Sequence, residues 1–329
     1  MEDILLKNDT ILGIDIGGTK CAIILGKGTV ESIDIIDRVS FPTVNEKGCE
    51  GTIDRIFLEI ENLLRAHDIN VSDAAGIGIS CGGPLDSKNG IIMSPPNLPG
   101  WDNIKIIDVI ERRFNVKTNL QNDANACALA EWRYGAGRGL KNVVFLTFGT
   151  GMGAGLILDG KLYSGTNDMA GEVGHVRLEN NGPVGYGKAG SFEGFCSGGG
   201  IAMLAKIRAL EKLQMGEKVS FCGSIDELDC INAKIVADAA HKGDALAIEI
   251  YKESGNYLGR GLAVLVDILN PEAIIIGSVF ARSKDLLWPY AKKVMENESL
   301  SYSRNVCKVI PATLGEKIGD YAALAVALI

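Results

Sequence analysis

The sequence predicts an α/β protein of two lobes with an internal duplication. A strand, a glycine turn and a second strand are expected at 10–15 and 21–25, and the same order returns at 143–148 and 155–158. Helical and strand-like segments alternate along the rest of the chain, which is typical of layered α/β proteins. The length of 329 residues also fits two domains of roughly 150 residues each.

Apolar spacing and turn residues assign the other elements. In 53–66, for example, apolar residues recur with the helical period of about 3.6 residues. The predicted helices are 53–66, 106–114, 124–133, 201–214, 226–241, 245–269, 284–298 and 319–329, and the further predicted strands are 75–80, 117–120, 273–276 and 306–311.

Composition excludes several classes of function. With 33 basic and 41 acidic side chains the formal charge is −8, and no basic cluster is available to bind nucleic acid or an anionic membrane. No apolar run approaches the roughly 20 residues of a membrane span, and the acidic N-terminus is atypical of a signal peptide. We therefore expect a cytoplasmic protein without nucleic-acid or membrane partners. Its eight scattered cysteines are expected to be reduced and mostly buried.

The first glycine turn has the composition of a phosphate-binding loop. Gly17 and Gly18 carry no Cβ, so their backbone N–H groups can approach a polyphosphate. Thr19 adds a hydroxyl donor next to Lys20, and Asp15 at the strand end can hold Mg²⁺ through water. The alternative is an ordinary glycine-rich hairpin, which one short motif does not exclude.

A second turn of this kind, Gly149-Thr150-Gly151, follows the duplicated strand. Its surroundings also match a GxGxxA dinucleotide loop, but a strand follows where that fingerprint requires a helix. The P-loop pattern GxxxxGK[ST] does not occur. Two matched turns, one in each lobe, indicate a phosphate clamp that closes on a nucleotide from both sides.

Asn122 and Asp123 stand where a predicted strand passes into a helix of small residues. A carboxylate at this position can accept the proton of a hydroxyl nucleophile, with Asn122 fixing the acceptor sugar. The alternative is that one of the two residues is simply the helix N-cap.

A third polar group indicates carbohydrate. Glu172, His175 and Glu193 lie in a glycine-rich stretch that is unsuited to a core. Carboxylates with an imidazole match the paired donors and acceptors of vicinal hydroxyls. For His175 alone, a structural role is the alternative.

Two further positions are expected at the substrate. Gly82 lies in the segment 81–84 into which the strand at 75–80 leads, and Asn97 lies in the turn NLPGW, whose Trp101 would form an aromatic wall. An ordinary surface turn is the alternative for Asn97 and Trp101.

Six motifs, in this order along the chain, resemble the ROK family of bacterial sugar kinases and sugar-responsive repressors. They are DIGGTK at 15–20, NDANA at 122–126, FGTGMGAG at 148–155, AGEVGH at 170–175, NPEAIIIGS at 270–278 and GDYAALAVA at 319–327. The resemblance implies the two-lobed actin-like/hexokinase-like ATPase (ribonuclease H-like) fold. With the internal repeat, it implies a smaller domain of 1–122 plus 312–329 and a larger domain of 123–311.

The resemblance also implies a role for each candidate residue. Asp123 would be the catalytic base, and Gly277 and Ser278 would lie near the nucleoside. The implied sugar contacts are Asn122, Glu172, His175 and Glu193, and the implied phosphate contacts are Gly17, Gly18, Thr19, Lys20, Gly149, Thr150 and Gly151.

One segment departs from the family pattern. Zinc-bearing members carry CxCGxxGCxE after the histidine, and here 184–193 reads VGYGKAGSFE. All three cysteines are replaced, and a zinc site cannot be assembled from Val, Tyr and Ser with one histidine. We therefore expect no zinc, a loop held by packing of Val184, Tyr186 and Phe192, and a His175 that contacts sugar.

The resemblance implies ATP-dependent phosphorylation of a hexose, with glucose expected first and the C6 hydroxyl as the usual acceptor. N-acetylmannosamine, fructose or allose as acceptor, and a non-catalytic sugar-binding sensor, are the alternatives. Repressors of the family carry a helix-turn-helix ahead of the first glycine turn. Only about ten residues precede that strand here, so a DNA reader is not expected. A homodimer is expected, while the sugar, its anomer and the preferred nucleotide stay open.

Overall fold

The computed structural model describes residues 9–43 and 48–329. Unit one takes the described parts of Met1–Gly139 with Gly155–Ala170 and Thr313–Ile329, and unit two takes Leu140–Ala154 and Gly171–Ala312. The acidic N-terminal residues that argue against a signal peptide lie outside the described residues. The domain bounds at 122/123 and 311/312 stay a prediction.

Strands predominate in the described chain up to residue 139, and most of the helices lie beyond it. Up to residue 139 the elements are β1 Thr10–Ile16, β2 Lys20–Gly28, β3 Ile33–Pro42, α1 Gly48–Ala66, β4 Ala74–Cys81, β5 Leu85–Asp86, β6 Ile91–Ile92, β7 Ile104–Lys105, α2 Ile106–Phe114, β8 Thr118–Asn122 and α3 Asp123–Tyr134. Beyond it they are β9 Val143–Leu146, β10 Ala154–Leu158, β11 Lys161–Tyr163, β12 Val184–Gly185, β13 Lys188–Ala189, α4 Phe192–Cys196, α5 Gly198–Gln214, α6 Ala233–His241, α7 Ala245–Leu269, β14 Ala273–Ile276, α8 Val279–Arg282, α9 Lys284–Glu298, α10 Ser301–Val306, β15 Lys308–Pro311 and α11 Ile318–Ala327.

Unit one is built on a five-stranded sheet with the order β3-β2-β1-β4-β8. β1 and β2 form an antiparallel hairpin, whereas β1, β4 and β8 run parallel and are largely buried, as their apolar runs predict. In this register Asp15 pairs with Ser80, and Ser80 pairs with Gln121. The carboxyl ends of β1 and β8 therefore meet at one edge of the sheet, where Asp15 and Asp123 lie.

α11 packs directly on this sheet because the strands beneath it carry glycine. A Cβ on Gly13 would lie 2.9 Å from the Cβ of Ala323, and a Cβ on Gly78 would overlap the Ala323 carbonyl oxygen and the Ala327 nitrogen. Most buried positions of α11 are alanine. Small residues on both partners therefore set the distance between helix and sheet.

The second sheet repeats the plan of the first, with the order β11-β10-β9-β14-β15. β10 and β11 are antiparallel, and β9, β14 and β15 are parallel with β14 in the middle. Both sheets thus carry antiparallel strands on one side and parallel strands on the other. The expected two-lobed α/β fold with an internal duplication is confirmed.

One predicted helix is wrong, and one strand of the first sheet is missing from the prediction. The helix expected at 226–241 is a 3₁₀ turn, Ile225–Cys230, followed by α6. The break falls at Asn232, whose backbone is extended and whose side chain accepts a hydrogen bond from the Ile235 N–H at 3.0 Å, so that a new helix starts there. The prediction also lacks β3, whose aspartates at 34 and 37 interrupt its apolar pattern.

Across the described residues, every helix is too short or too polar to traverse a bilayer. All eight cysteines are free thiols. Four of them are buried, three are half-buried and Cys230 is exposed.

Replacing Gly78 with Ala is expected to destabilise the protein by about 1–3 kcal/mol, because the added methyl group would push α11 away from β4. Urea denaturation measures the change in the free energy of unfolding. Ala75→Ser, at an exposed position of the same strand, is the control and should stay within about 0.5 kcal/mol. Equal stability of both variants would contradict close packing of α11 on the sheet.

Candidate active site

The first glycine turn, between β1 and β2, is closed by its own backbone and by Thr43. The Gly17 N–H donates to the Lys20 carbonyl at 3.1 Å. The Thr43 hydroxyl donates to the Gly17 carbonyl at 2.6 Å, and the Thr43 N–H donates to the Thr19 carbonyl at 3.0 Å. Thr19 and Lys20 are exposed, so this turn presents its tip to solvent.

Asp15 lies beside this turn in an acidic environment. Burial, and then the carboxylates of Asp123 and Asp320, raise the pKa of the Asp15 carboxyl to about 6, against smaller opposing effects of Arg38 and Lys20. Arg38 is itself engaged, since its Nε donates to Asp320 Oδ1 at 2.8 Å. Negative charge at this sheet edge is therefore only partly compensated, which favours a bound cation.

Asp123 is the first residue of α3, directly after β8. Asn122 is the N-cap of this helix, because its side-chain oxygen accepts a hydrogen bond from the Ala124 N–H at 2.9 Å. Asp123 Oδ1 accepts from the same N–H at 2.8 Å, yet the residue is exposed to solvent. Desolvation by the surrounding protein nevertheless raises the pKa of the Asp123 carboxyl. A carboxylate with a raised pKa is a better proton acceptor near neutral pH.

The other end of α3 is anchored by Glu131, a fully buried carboxylate. Its oxygens accept hydrogen bonds from the backbone N–H groups of Ala136 at 2.8 Å, Thr313 at 2.9 Å and Leu314 at 2.8 Å. The Thr313 hydroxyl adds a further donor at 3.2 Å. Glu131 thereby ties the helix that begins with Asp123 to the segment that leads into α11.

Gly82 and Asn97 lie next to the first glycine turn. A Cβ on Gly82 would lie 3.4 Å from Asn97 Nδ2, and a Cβ on Gly18 would lie 2.9 Å from the Asn97 Cβ. Both predicted substrate residues are thus brought to the turn. Trp101, in contrast, is buried in the core of unit one, so the expectation that it forms an aromatic wall for a ligand is wrong.

The second glycine turn, between β9 and β10, belongs to unit two. The Thr147 N–H donates to the Gly153 carbonyl at 3.0 Å, and the Gly153 N–H donates back to the Thr147 hydroxyl at 2.8 Å. The Met152 N–H donates to Glu193 Oε2 at 2.8 Å, and a Cβ on Gly151 would also lie 2.8 Å from that oxygen. Glu193 therefore fixes the turn, a contact that its expected role in sugar binding does not include.

The N-terminus of α5 closes against the second turn. The Gly198 N–H donates to the Gly149 carbonyl at 2.7 Å, and the Gly199 N–H donates to the Thr150 carbonyl at 3.1 Å. A Cβ on Gly149 would lie 4.0 Å from Ser278 Oγ. The predicted phosphate and nucleoside residues of unit two thus form one group. The start of α5, which the sequence analysis did not include, packs against this group.

Glu172 precedes a 3₁₀ turn, Val173–His175, that ends with His175, and both residues are exposed. A Cβ on Gly174 would lie 3.3 Å from the Cβ of Glu193 and would overlap the carbonyl oxygen of Met152. The 3₁₀ turn is therefore packed on the second glycine turn, and the predicted sugar residues of unit two are neighbours.

The segment that departs from the family pattern folds as a short hairpin of β12 and β13 followed by α4. The expectation that packing of Val184 and Tyr186 holds it is wrong, because these residues are 53% and 75% exposed, although Phe192 is buried. A hydrogen bond holds the hairpin to the neighbouring turn instead, since Lys188 Nζ donates to the His175 carbonyl at 2.7 Å.

Sequence reasoning missed three residues of the site in unit one, namely Asp320, Arg38 and Thr43. Asp320 belongs to the family motif GDYAALAVA, but the sequence analysis predicts no role for it. Arg38 lies on β3, which was not predicted, and Thr43 follows that strand.

The fold and its paired glycine turns define the class of actin-like/hexokinase-like ATPases. The ROK family profile matches residues 11–328, and the chain belongs to the ROK family. A glucokinase of Thermotoga maritima is 35% identical over 288 residues, 87% of this chain and 87% of that protein. A xylose repressor of Caldicellulosiruptor bescii is 30% identical over 88% of this chain and 71% of the repressor.

The solved structure of a ROK family glucokinase from Streptomyces griseus, in complex with glucose and AMPPNP, has a TM-score of 0.76 and 30% identity. The comparison covers 97% of this chain and 99% of that chain. The relatives therefore include kinases and repressors on one fold.

Replacing Asp15 with Asn is expected to stabilise the protein in a pH-dependent way. The carboxyl titrates near 3.8 when unfolded and near about 6 when folded, so its charge opposes folding above pH 6 and the effect disappears as pH falls below 3.8. The expected gain is about 3 kcal/mol near pH 7.5 and about 1 kcal/mol near pH 4.5. Urea denaturation at both pH values checks this, and an equal gain at both would contradict the raised pKa.

Proposed function

We propose that this protein phosphorylates a hexose with ATP, with glucose as the first candidate and its C6 hydroxyl as the acceptor. The observation that carries the proposal is Asp123, an exposed carboxylate with a raised pKa at the start of α3, in electrostatic contact with Asp15. Similarity to the glucokinases of Thermotoga maritima and Streptomyces griseus supports it.

In this mechanism Asp123 accepts the proton of the sugar hydroxyl as that oxygen attacks the terminal phosphorus of ATP. The bond from this phosphorus to the bridging oxygen breaks, and ADP leaves. The hydrogen bond between Asp123 Oδ1 and the Ala124 N–H fixes the carboxylate in one orientation. Its raised pKa strengthens it as a base. Because the Asn122 oxygen caps α3, its amide nitrogen is the group that we assign to a sugar hydroxyl.

The remaining sugar contacts are assigned to side chains that offer hydroxyl partners. Glu172 and His175 are exposed, and Asn97 lies against the first glycine turn. Glu193 is assigned both to sugar and to the second glycine turn, because one of its oxygens accepts a hydrogen bond from the Met152 N–H. The proposed set is the side chains of Asn97, Asn122, Glu172, His175 and Glu193, together with Gly82, which lies beside Asn97.

The phosphates are assigned to the two glycine turns, through Gly17, Gly18, Thr19 and Lys20 and through Gly149, Thr150 and Gly151. Within 9–43 and 48–329 no group of three His, Cys, Asp or Glu side chains is suited to direct metal ligation. We assign Mg²⁺ to Asp15 through water. The carboxylate oxygens around Asp15 are the donors that Mg²⁺ prefers. When bound, Mg²⁺ supplies charge neutralisation at the phosphates.

The nucleoside is assigned to a cavity of about 380 Å³ in unit two that Val279, Arg282 and Tyr251 help to line. Val279 directly follows Ser278, and the Gly277 N–H is held by the Leu146 carbonyl at 3.0 Å. The cavity thus adjoins the predicted nucleoside residues.

A non-catalytic sugar sensor is the second candidate, because a xylose repressor is among the relatives. A sensor would bind sugar without releasing ADP. N-acetylmannosamine, fructose and allose are alternative acceptors within the kinase proposal. The cytoplasmic location, the homodimer and the absence of zinc also stay proposals.

Asp123→Asn is expected to lower kcat by about 10²–10⁴-fold, because the amide keeps the hydrogen bond to the Ala124 N–H but cannot accept a proton. A coupled assay for ADP measures the change. Asp9→Asn, at an exposed carboxylate before β1, is the control and should keep the wild-type rate. A loss of less than about threefold in Asp123→Asn would remove this residue from the role of base.

ADP release with ATP and a panel of hexoses and N-acetylhexosamines tests the activity itself. We expect one acceptor to exceed the others by at least about tenfold in kcat/KM, because hydrogen-bonding sites reject sugars with a misplaced hydroxyl. Sugar binding without ADP release, measured by calorimetry in the presence of ATP, would favour the sensor.

A further inference from the structure

The hairpin 184–189 does not fit the zinc ion that the family resemblance implies for this loop. Val184 and Tyr186 stand where zinc-bearing members have cysteines, and neither side chain offers a thiolate. The third position is Ser191, whose hydroxyl is already engaged as the N-cap of α4, accepting from the Gly194 N–H at 3.1 Å. In the described part of the chain, no cluster of His, Cys, Asp and Glu is suited to a metal ion. Two contacts from the hairpin reach His175 instead.

Lys188 supplies the first such interaction. Its ammonium donates to the His175 carbonyl at 2.7 Å, and a hydrogen bond from a charged donor is stronger than one between neutral groups. Because Lys188 lies on β13, this bond joins the hairpin to the 3₁₀ turn that ends with His175.

Tyr186 supplies the second interaction, at the tip of the same hairpin. Its ring lies edge-to-face with the His175 imidazole, with ring centroids 6.4 Å apart and an interplanar angle of 80°. The ring is 75% exposed, so core packing does not account for its position. Its φ of 43° is a backbone conformation that bulky residues rarely adopt. The two-residue turn of the hairpin accounts for it, because both central residues, Tyr186 and Gly187, have positive φ.

The base of the hairpin is fixed, so these two contacts start from an ordered support. The Gly190 N–H donates to the Pro183 carbonyl at 3.0 Å, and an Arg177 nitrogen donates to the Ala189 carbonyl at 2.8 Å. The Phe192 N–H donates to the Val176 carbonyl at 2.8 Å, which ties the start of α4 to the residue after His175.

We propose that Lys188 and Tyr186 are positioning residues that hold His175 for sugar binding without a metal ion. Lys188 fixes the backbone of His175, and Tyr186 restricts the rotation of its imidazole, so that less conformational entropy is lost when sugar binds. The inference rests on the proposed function, because it takes His175 as a sugar contact. The hairpin 184–189 would then hold His175 in this chain without a metal ion.

Tyr186→Ala and Lys188→Met are each expected to raise the KM for sugar by about 3- to 10-fold, with kcat within about twofold, because each removes one ring contact or one hydrogen bond. Val184→Ala is the matched control, since Val184 is also an exposed residue of the hairpin at a former cysteine position. In a His175→Ala background, Tyr186→Ala should have no further effect. Equal KM values for Tyr186→Ala, Lys188→Met and Val184→Ala would overturn the proposal, as would additive effects in the double variant.

A second readout does not depend on turnover. The protein has three histidines, so the imidazole signals of His175 in a carbon-detected NMR spectrum are identified by their loss in His175→Ala. Tyr186→Ala should shift these signals in the free protein, while Val184→Ala should leave them unchanged. Titration with glucose and the other panel sugars then gives a dissociation constant that rises in Tyr186→Ala and Lys188→Met.

The two readouts separate the inference from the kinase proposal. Sugar-dependent shifts of His175 that weaken in both variants support the inference even if no ADP is released. Turnover with an unperturbed His175 signal on sugar binding overturns the inference and leaves the kinase intact. One zinc ion per purified chain, with sugar affinity lost after chelation, would also overturn it, because a metal would then hold the loop.

Discussion

The parallel pairing of β1, β4 and β8 is the constraint on which the candidate site depends. Their register brings the ends of β1 and β8 to one sheet edge, and Asp15 and Asp123 come together there although more than one hundred positions separate them in the sequence. Desolvation raises the pKa of both carboxyls, and for Asp15 repulsion from the carboxylates of Asp123 and Asp320 adds to the larger effect of burial. The order of the strands thus determines the electrostatic environment of these two carboxyl groups.

The same edge is kept in place by Glu131 and α11. Glu131 accepts hydrogen bonds from the backbone at Ala136 and at Thr313, and so joins the end of α3 to the segment before α11. α11 lies against glycines of the sheet and carries Asp320 to the neighbourhood of Asp15. A buried acid near the far end of the helix that begins with Asp123 thus has a structural role, since it accepts backbone hydrogen bonds.

Some of this arrangement could be predicted from the sequence and some could not. Asp15 and Asp123 are predictable because strand ends, glycines and N-caps have local signatures. The roles of Asp320 and Arg38 depend on contacts between distant segments, which a local pattern does not encode. The predicted packing of Val184 and Tyr186 is wrong for another reason. Their residue types favour burial, but the tight hairpin exposes both side chains. The false helix at 226–241 shows that apolar periodicity does not report a break set by one capping asparagine.

The packing of α11 on β1 and β4 has a consequence for folding during synthesis on the ribosome. The strands of this sheet are translated early, whereas the helix that covers them is translated after all of 171–312. Unit two can therefore complete its fold on the ribosome while a face of the first sheet still lacks its cover. During that interval the nascent chain carries an uncovered apolar sheet surface, the kind of surface that makes partly folded chains prone to aggregate.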